Sequence, residues 1–480
     1  VAQMDTVQTP FPKGRFGGST AALGWKPGAR SLTGGRLHQQ EGAAAAEVPS
    51  RQERIAYGAL LLFVALIYIT PGSLYPPLES VPIAKGVAVI SFLFLFSGLR
   101  KKGASWRLTD PATLWLIAFV AVGGLSIATS LWRIYSLNAF LDLLKLILVY
   151  LLVIHLVDRM ERVRRLFWVM LWAGLVPAAG TLAHYLLKID LVEGYRGAWR
   201  GVYSDPNDLA YNLIVLVPIG LSLLEAERSF VKRSIVFGII TVFLLAIYVT
   251  FSRGGLVGLM VVFFFQILRS RNRMLHFSLA TILLMVLLAV APARYWERAE
   301  TILKFRHDES AMGRIYAWQA GLSMVADRPL LGVGLGCFVM GWPIYAPPEA
   351  GTKWRAAHNT FVAVMGETGL LGLVAFGTFI ATSLRGAQKV NRSNRPAPRP
   401  LFSPATSLRQ AEPKAPSVTE EDRHAALYAR GVEIALWGFL ACSLTLGIAR
   451  SWPPYIFAGL AIALYTIRTM NRPVAPGVFK

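Results

Sequence analysis

Acidic side chains are scarce in this sequence. Only 27 Asp and Glu stand against 49 Lys and Arg, a formal net charge of +22, which is not the mixed-sign surface of an ordinary soluble domain. Cysteine is almost absent. The two that occur, Cys337 and Cys442, fall in a long loop and in an apolar run, so the chain has neither a disulfide framework nor a cysteine cluster for zinc. No internal repeat is visible, which argues against an inverted-repeat transporter. The first 50 residues lack hydrophobic periodicity and show no apolar core with a cleavage site, so they read as a tail and not as a signal peptide.

Hydrocarbon is abundant instead. Hydrophobic residues make up 54% of the 480 and charged residues 16%, and the mean hydropathy is +0.48. Apolar runs long enough to cross a bilayer recur along most of the chain. They predict an all-α polytopic membrane protein with about twelve transmembrane helices. The expected spans lie near 55–70, 81–99, 112–132, 137–157, 164–187, 208–224, 234–251, 254–268, 275–292, 358–384, 431–449 and 453–468. Around them the sequence divides into a disordered basic tail (1–54), a large outer loop (293–357), a Pro-rich insert (385–430) and a short C-terminal tail (469–480).

Basic residues set the orientation. The tails, Arg100-Lys101-Lys102, Arg159 to Arg165, Arg228 to Arg233, Arg269 to Arg273 and the insert form one alternating set that carries most of the Lys and Arg. By the positive-inside rule that set, with both termini, is cytoplasmic, and the excess charge is expected to meet anionic lipid headgroups. Nucleic-acid binding does not fit, because the basic clusters hug span ends and no aromatic-studded soluble domain accompanies them.

A few cations lie on the opposite side, where each needs a reason. Arg196 and Arg200 are four apart with Trp199 beside them, a spacing that serves either interfacial anchoring or, if helical, a guanidinium grip on a diphosphate. Asn207, after a proline at a span start, is placed to cap the helix or to bond the same ligand. Arg253 lies in the very short turn Ser252-Arg253-Gly254-Gly255, where a cation at membrane depth is functional unless a carboxylate such as Asp190 or Glu367 neutralises it, and where paired glycines would admit an anion. Arg314 opens a predicted helix that ends at Asp327-Arg328-Pro329, and its charge opposes the helix dipole there. His358, at a span end level with these arginines, is a candidate general base that Asn359 would orient. Glu367 lies within a span and is expected to brace an arginine. Gly332-Val333-Gly334-Leu335-Gly336 follows a helix end and a proline instead of a strand, and reads as a flexible turn.

The order of these motifs is similar to a known family. Arg200-Gly201, Pro206-Asn207-Asp208-Leu209-Ala210, Ser252-Arg253-Gly254, Gly313-Arg314 with Trp318 and Pro329, His358-Asn359 and Glu367-Thr368-Gly369-Leu370-Leu371-Gly372 resemble the bacterial O-antigen ligase and O-antigen polymerase superfamily over roughly 190–385. The resemblance implies a GT-C-type helical fold in the inner membrane and a periplasmic site. It also implies an undecaprenyl-diphosphate-linked glycan as donor, with no cofactor and no metal. Carried over, Arg200, Arg253 and Arg314, with Arg196 beside them, hold the diphosphate, and His358 activates the acceptor with inversion. The expected acceptor is lipid A–core. A polymerase or a protein O-oligosaccharyltransferase is the alternative, and a lipid-linked glycan flippase a lesser one.

Overall fold

The computed structural model describes residues 49–78, 80–102, 106–270, 272–289, 309–392 and 419–470. Nearly all of the expected N-terminal tail, the core of the Pro-rich insert, the start of the large loop and the C-terminal tail lie outside the described residues.

The described chain is helical, with one isolated bridge between Val192 and Arg196 in place of any strand. The helices are α1 (Arg51–Ile69), a single turn α2 (Pro71–Leu74), α3 (Ile83–Lys102), α4 (Pro111–Ser126), α5 (Arg133–Leu156), α6 (Met160–Leu187), α7 (Pro206–Ile214) and α8 (Val217–Ala226). They continue with α9 (Phe230–Val249), α10 (Arg253–Arg269), α11 (Arg273–Ala289), α12 (Glu309–Asp327), α13 (Phe338–Tyr345), α14 (Thr360–Arg392), α15 (Glu420–Ser443) and α16 (Trp452–Met470). Each expected span meets a helix, or in α7 and α8 a pair. Among the described residues eight segments are long and apolar enough to cross a membrane, so the chain is a multi-pass membrane protein. α1 begins at Arg51, earlier than expected, because Ser50 and Glu53 form a reciprocal capping box that satisfies the first amides.

Alternate turns gather at two ends of the bundle. At one end arginines meet carboxylates. Arg164 grips Glu227 with two bonds of 2.7 and 2.6 Å, Arg269 reaches Glu433 at 2.6 Å, Arg228 reaches Glu420 at 2.8 Å, and Arg430 and Arg468 pair with Glu225 and Asp422. These contacts tie α6 to the end of α8, and α10, α8 and α16 to α15. Glu433 is wholly buried and also accepts from Asn391 at 2.8 Å. Glu433→Ala strands Arg269 beside a helix interior and is expected to cost about 3 kcal/mol. A thermal-melting series in detergent should show it as a clear fall in midpoint, whereas an unchanged midpoint would mean that the pair is solvated.

At the opposite end the turns are knit by backbone contacts. Leu131 N–H donates to Val333 O at 2.9 Å, Gly197 N–H to Val249 O at 2.7 Å, and the Thr360 hydroxyl to Leu446 O at 2.7 Å. α14 breaks there. Gly369 has φ +66° and ψ −168°, which releases the carbonyls of Gly366 and Glu367 from the helix ladder. The glycine segment after Pro329 takes them up. Val333 and Gly334 donate to those two carbonyls at 2.9 Å each, and Leu370 N–H returns to Pro329 O at 2.8 Å. A side chain on Gly332 would lie 2.4 Å from Gly366 O, and one on Gly369 would meet Leu330 backbone at 2.3 Å. The segment expected to be a flexible turn is therefore a buried plug, pinned because only glycine lets two backbones approach so closely.

Candidate functional site

The site-bearing end starts from the loop between α6 and α7. It is not helical at Arg196 and Arg200, so the two do not share a helix face as their spacing suggested. Arg196 turns inward and is 6% exposed. It donates to Thr250 O at 3.0 Å, to Asn207 Oδ1 at 3.0 Å and to Glu193 at 3.2 Å. Asn207 Oδ1 also accepts from the Ser252 hydroxyl at 2.7 Å, and Ser252 Oγ in turn caps α10 by accepting from Gly255 N–H at 3.0 Å. Arg196, Asn207 and Ser252 thus lock the start of α7 to the start of α10.

Arg253 is the first residue of α10, held immediately beyond that lock. The adjoining glycines have a different task from the one expected. Side chains on Gly254 and Gly255 would crowd Thr445 at 2.4 Å and Ala210 at 3.0 Å, and the Gly255 amide is taken by Ser252, so they serve close packing instead of anion approach. Arg200 stays exposed, its guanidinium 5.9 Å from the Trp199 ring, with Trp199 in turn 4.7 Å from His184.

Asp205 caps α7 by accepting from Asn207 N–H at 2.7 Å and from its Nδ2 at 2.9 Å. Its charge faces His358. The histidine stands just before α14 in a left-handed conformation, φ +44°. It keeps an exposed edge but is crowded by protein atoms. That desolvation lowers the imidazole pKa, the charges of Arg314 and Arg355 lower it further, and Asp205 opposes them. Asn359 works through the backbone instead of the ring. Its Oδ1 accepts from Phe361 and Val362 N–H at 2.9 and 3.1 Å, and its Nδ2 donates to Leu444 O at 3.3 Å, which fixes the residue next to His358.

Two arginines were not singled out by the sequence. Arg355 lies against Gly313, where a side chain would come within 2.0 Å of its Nη1, so the glycine before Arg314 brings a second guanidinium alongside it. Arg450 lies 3.9 Å from Glu367. Glu367 also accepts from Gly336 N–H at 2.9 Å, so it secures the glycine plug and faces Arg450 instead of Arg253. It stands apart from the histidine cluster. Gly313 in front of an arginine and a nearby Arg-Ala-Ala-His were the available signals for Arg355. For Arg450 there was none.

Backbone strain singles out the same end. Among the described residues the non-glycine ones with positive φ are Thr70, Lys188, Asp190, Glu193, Phe251 and His358, and all of these lie in turns of this end. Left-handed conformations cost roughly 1–3 kcal/mol each and gather where geometry is held for function.

Part of this end falls in a stretch that is similar to known proteins. Residues 237–377 match the family described as O-antigen ligase, a stretch that holds Arg253, Arg314, Arg355, His358 and Glu367. Over 94 residues the chain is 33% identical to the exopolysaccharide production protein ExoQ of Rhizobium meliloti (strain 1021), which is 18% of this chain and 21% of that protein. The aligned part thus spans about a fifth of the relative's length. With the helical membrane fold, these partial matches make residues 237–377 similar to the O-antigen ligase family and a shorter stretch similar to an exopolysaccharide production protein.

Proposed function

We propose that the chain is an O-antigen ligase, transferring a polysaccharide from undecaprenyl diphosphate to a sugar hydroxyl of lipid A–core on the periplasmic face of the inner membrane. The observation that carries this is the convergence on His358 of charges from three separate elements: Arg314 of α12, Arg355 before α14 and Asp205 at the start of α7. The opposite end holds the Arg–carboxylate pairs and the basic turns, so the positive-inside rule turns the histidine outward, with both termini cytoplasmic.

Outside the cytoplasm no nucleotide drives the step, and the glycosyl–diphosphate bond supplies the free energy itself. Negative charge grows on the leaving diphosphate, and arginines already fixed in place stabilise it without reorganising. Arg314, Arg355 and Arg253 are the main candidates for that grip, with exposed Arg200 reaching from the rim. Arg196 acts behind them by holding Asn207 and the α10 start. His358 in its neutral form takes the acceptor hydroxyl proton as oxygen attacks the anomeric carbon from the side opposite the diphosphate, which inverts the configuration. None of these roles calls for a metal ion.

The lowered pKa sets the pH response. An imidazole titrating below its ordinary ~6.5 remains the free base at neutral pH, so kcat/KM should be flat from pH 7 upward and fall only as the pH drops below that value. An acid limb with its midpoint above 7 would contradict the assignment. Because the acceptor is read by loops, ligase and polymerase are separated by supplying both acceptors at once. Product on lipid A–core supports the ligase, while a lengthened lipid-linked glycan makes the chain a polymerase.

A further inference from the structure

Behind the 199–208 loop lies a cavity of about 800 Å³, walled by α1, α3, α5, α7 and the turn before α16. It is apart from His358 and none of the cluster arginines lines it. Its walls are largely apolar, among them Phe63, Leu66, Leu78, Ile83 and Leu146. Its polar groups are unusual for a hydrocarbon-facing pocket. Tyr68, 3% exposed, presents a hydroxyl with no hydrogen-bond partner, as does Thr70 Oγ1 beside it. A buried hydroxyl left in that condition costs stability unless something occupies the space in front of it.

The mouth carries charge where a bilayer discourages it. Asp142 and Lys145 pair on α5, nine and twelve residues past its first, roughly 14 and 18 Å along the axis at 1.5 Å per residue. Their side chains are 62% and 43% exposed, toward lipid in a membrane, and charge at such depth marks a ligand path by default. Helical side chains lean toward the N terminus, which for α5 is the histidine end, so Lys145 leans toward the headgroup level. Lys85, Arg450 and the Asp142–Lys145 pair line the cavity together with Asp208, and Arg450 also lies 3.9 Å from Glu367. The rim also touches the proposed transfer site. A side chain on Gly201, next to Arg200, would collide with Ser73 Oγ at 1.8 Å.

We infer that this cavity is a second amphiphile site. It takes a hydrocarbon tail laterally between α3 and α5, places a phosphate ester among Lys85, Lys145 and Arg450, and offers Tyr68 and Thr70 to that headgroup as donors. A phosphate on a hydrocarbon tail comes from two sources, bulk phospholipid or a phosphorylated glycolipid acceptor. The site stands independently of the transfer chemistry.

Native mass spectrometry of the full chain, delipidated in detergent, tests it with three probes: dimyristoyl phosphatidylglycerol, dimyristoyl glycerol without phosphate, and glycerol phosphate without tails. Only the first should be retained. Lys85→Met with Lys145→Met should weaken its retention about tenfold or more, as expected for lost hydrogen bonds to a charged group, while Lys232→Met at the opposite end should not. Tyr68→Phe should weaken retention without lowering the melting temperature of the lipid-free protein. Equal retention of the phosphate-free lipid, or unchanged binding in the double Lys variant with a normal melting temperature, would overturn the inference. Competition by lipid A at much lower concentration than phosphatidylglycerol would identify the occupant as acceptor, and equal potency as bulk lipid. Glycosyl transfer measured on the same samples reports the His358 site separately.

Discussion

His358→Ala lowers glycan transfer by about 100- to 10,000-fold, the usual contribution of a positioned general base, and leaves the protein inserted and able to bind donor. The size follows from the environment of the ring. Crowding by protein atoms and two guanidinium groups lower the imidazole pKa against the opposing charge of Asp205, so the ring favours the free base at neutral pH. Asn359 fixes the adjoining backbone through its cap on α14 and its bond to Leu444, which gives a small residue at 358 little means to disturb the fold. Donor affinity should stay within a few-fold, since the histidine is assigned to the acceptor. The measurement is single-turnover transfer alongside donor binding. Retained turnover would remove the histidine from the base role, and a parallel loss of donor binding would reassign it to the diphosphate.

Arg253→Lys is expected to lose about 100-fold in transfer although the charge is kept. Removing one preorganised donor from a developing anion costs that much, and an ammonium does not reproduce the two parallel bonds of a guanidinium. The residue is placed for this by its neighbours. Ser252 is bonded to Asn207 and to Gly255, so the first turn of α10 is fixed against α7 and Arg253 extends from a rigid point. Asn207→Ala should therefore reproduce part of the Arg253 defect without touching any charge. Near-normal kcat in Arg253→Lys would mean that Arg253 anchors electrostatically and does not clamp a diphosphate.

The spans were legible because bilayer thickness imposes a length and a composition that survive in any local reading. The end-to-end alternation of basic turns was legible for the same reason, and with it the gathering of Arg314 and His358 at one end. What escaped was set by contacts distant in sequence. Glycine spacing at 332–336 does not reveal that α14 opens at Gly369 to receive it, since the carbonyls it binds belong to Gly366 and Glu367. Arg196 looked like Arg200's partner by its offset of four, yet a bridge to Val192 turns it inward while Arg200 stays outside. Glu367 was expected to brace an arginine, and the cation beside it, Arg450, arrives from a turn more than eighty residues later. Arg355 was hidden because its recruitment depends on the bare backbone of Gly313.

The central claim is that this end of the bundle cleaves a lipid-linked glycosyl diphosphate by its own side chains. It is tested most directly by mixing the purified chain with undecaprenyl-diphosphate-linked glycan and lipid A–core, in EDTA and without nucleotide, and measuring released undecaprenyl diphosphate together with glycosylated acceptor. Equimolar appearance of both, absent in His358→Ala, is the predicted result. Release that requires a divalent metal or a nucleotide, or no release from a well-folded sample with either lipid A–core or a second lipid-linked glycan as acceptor, would contradict it.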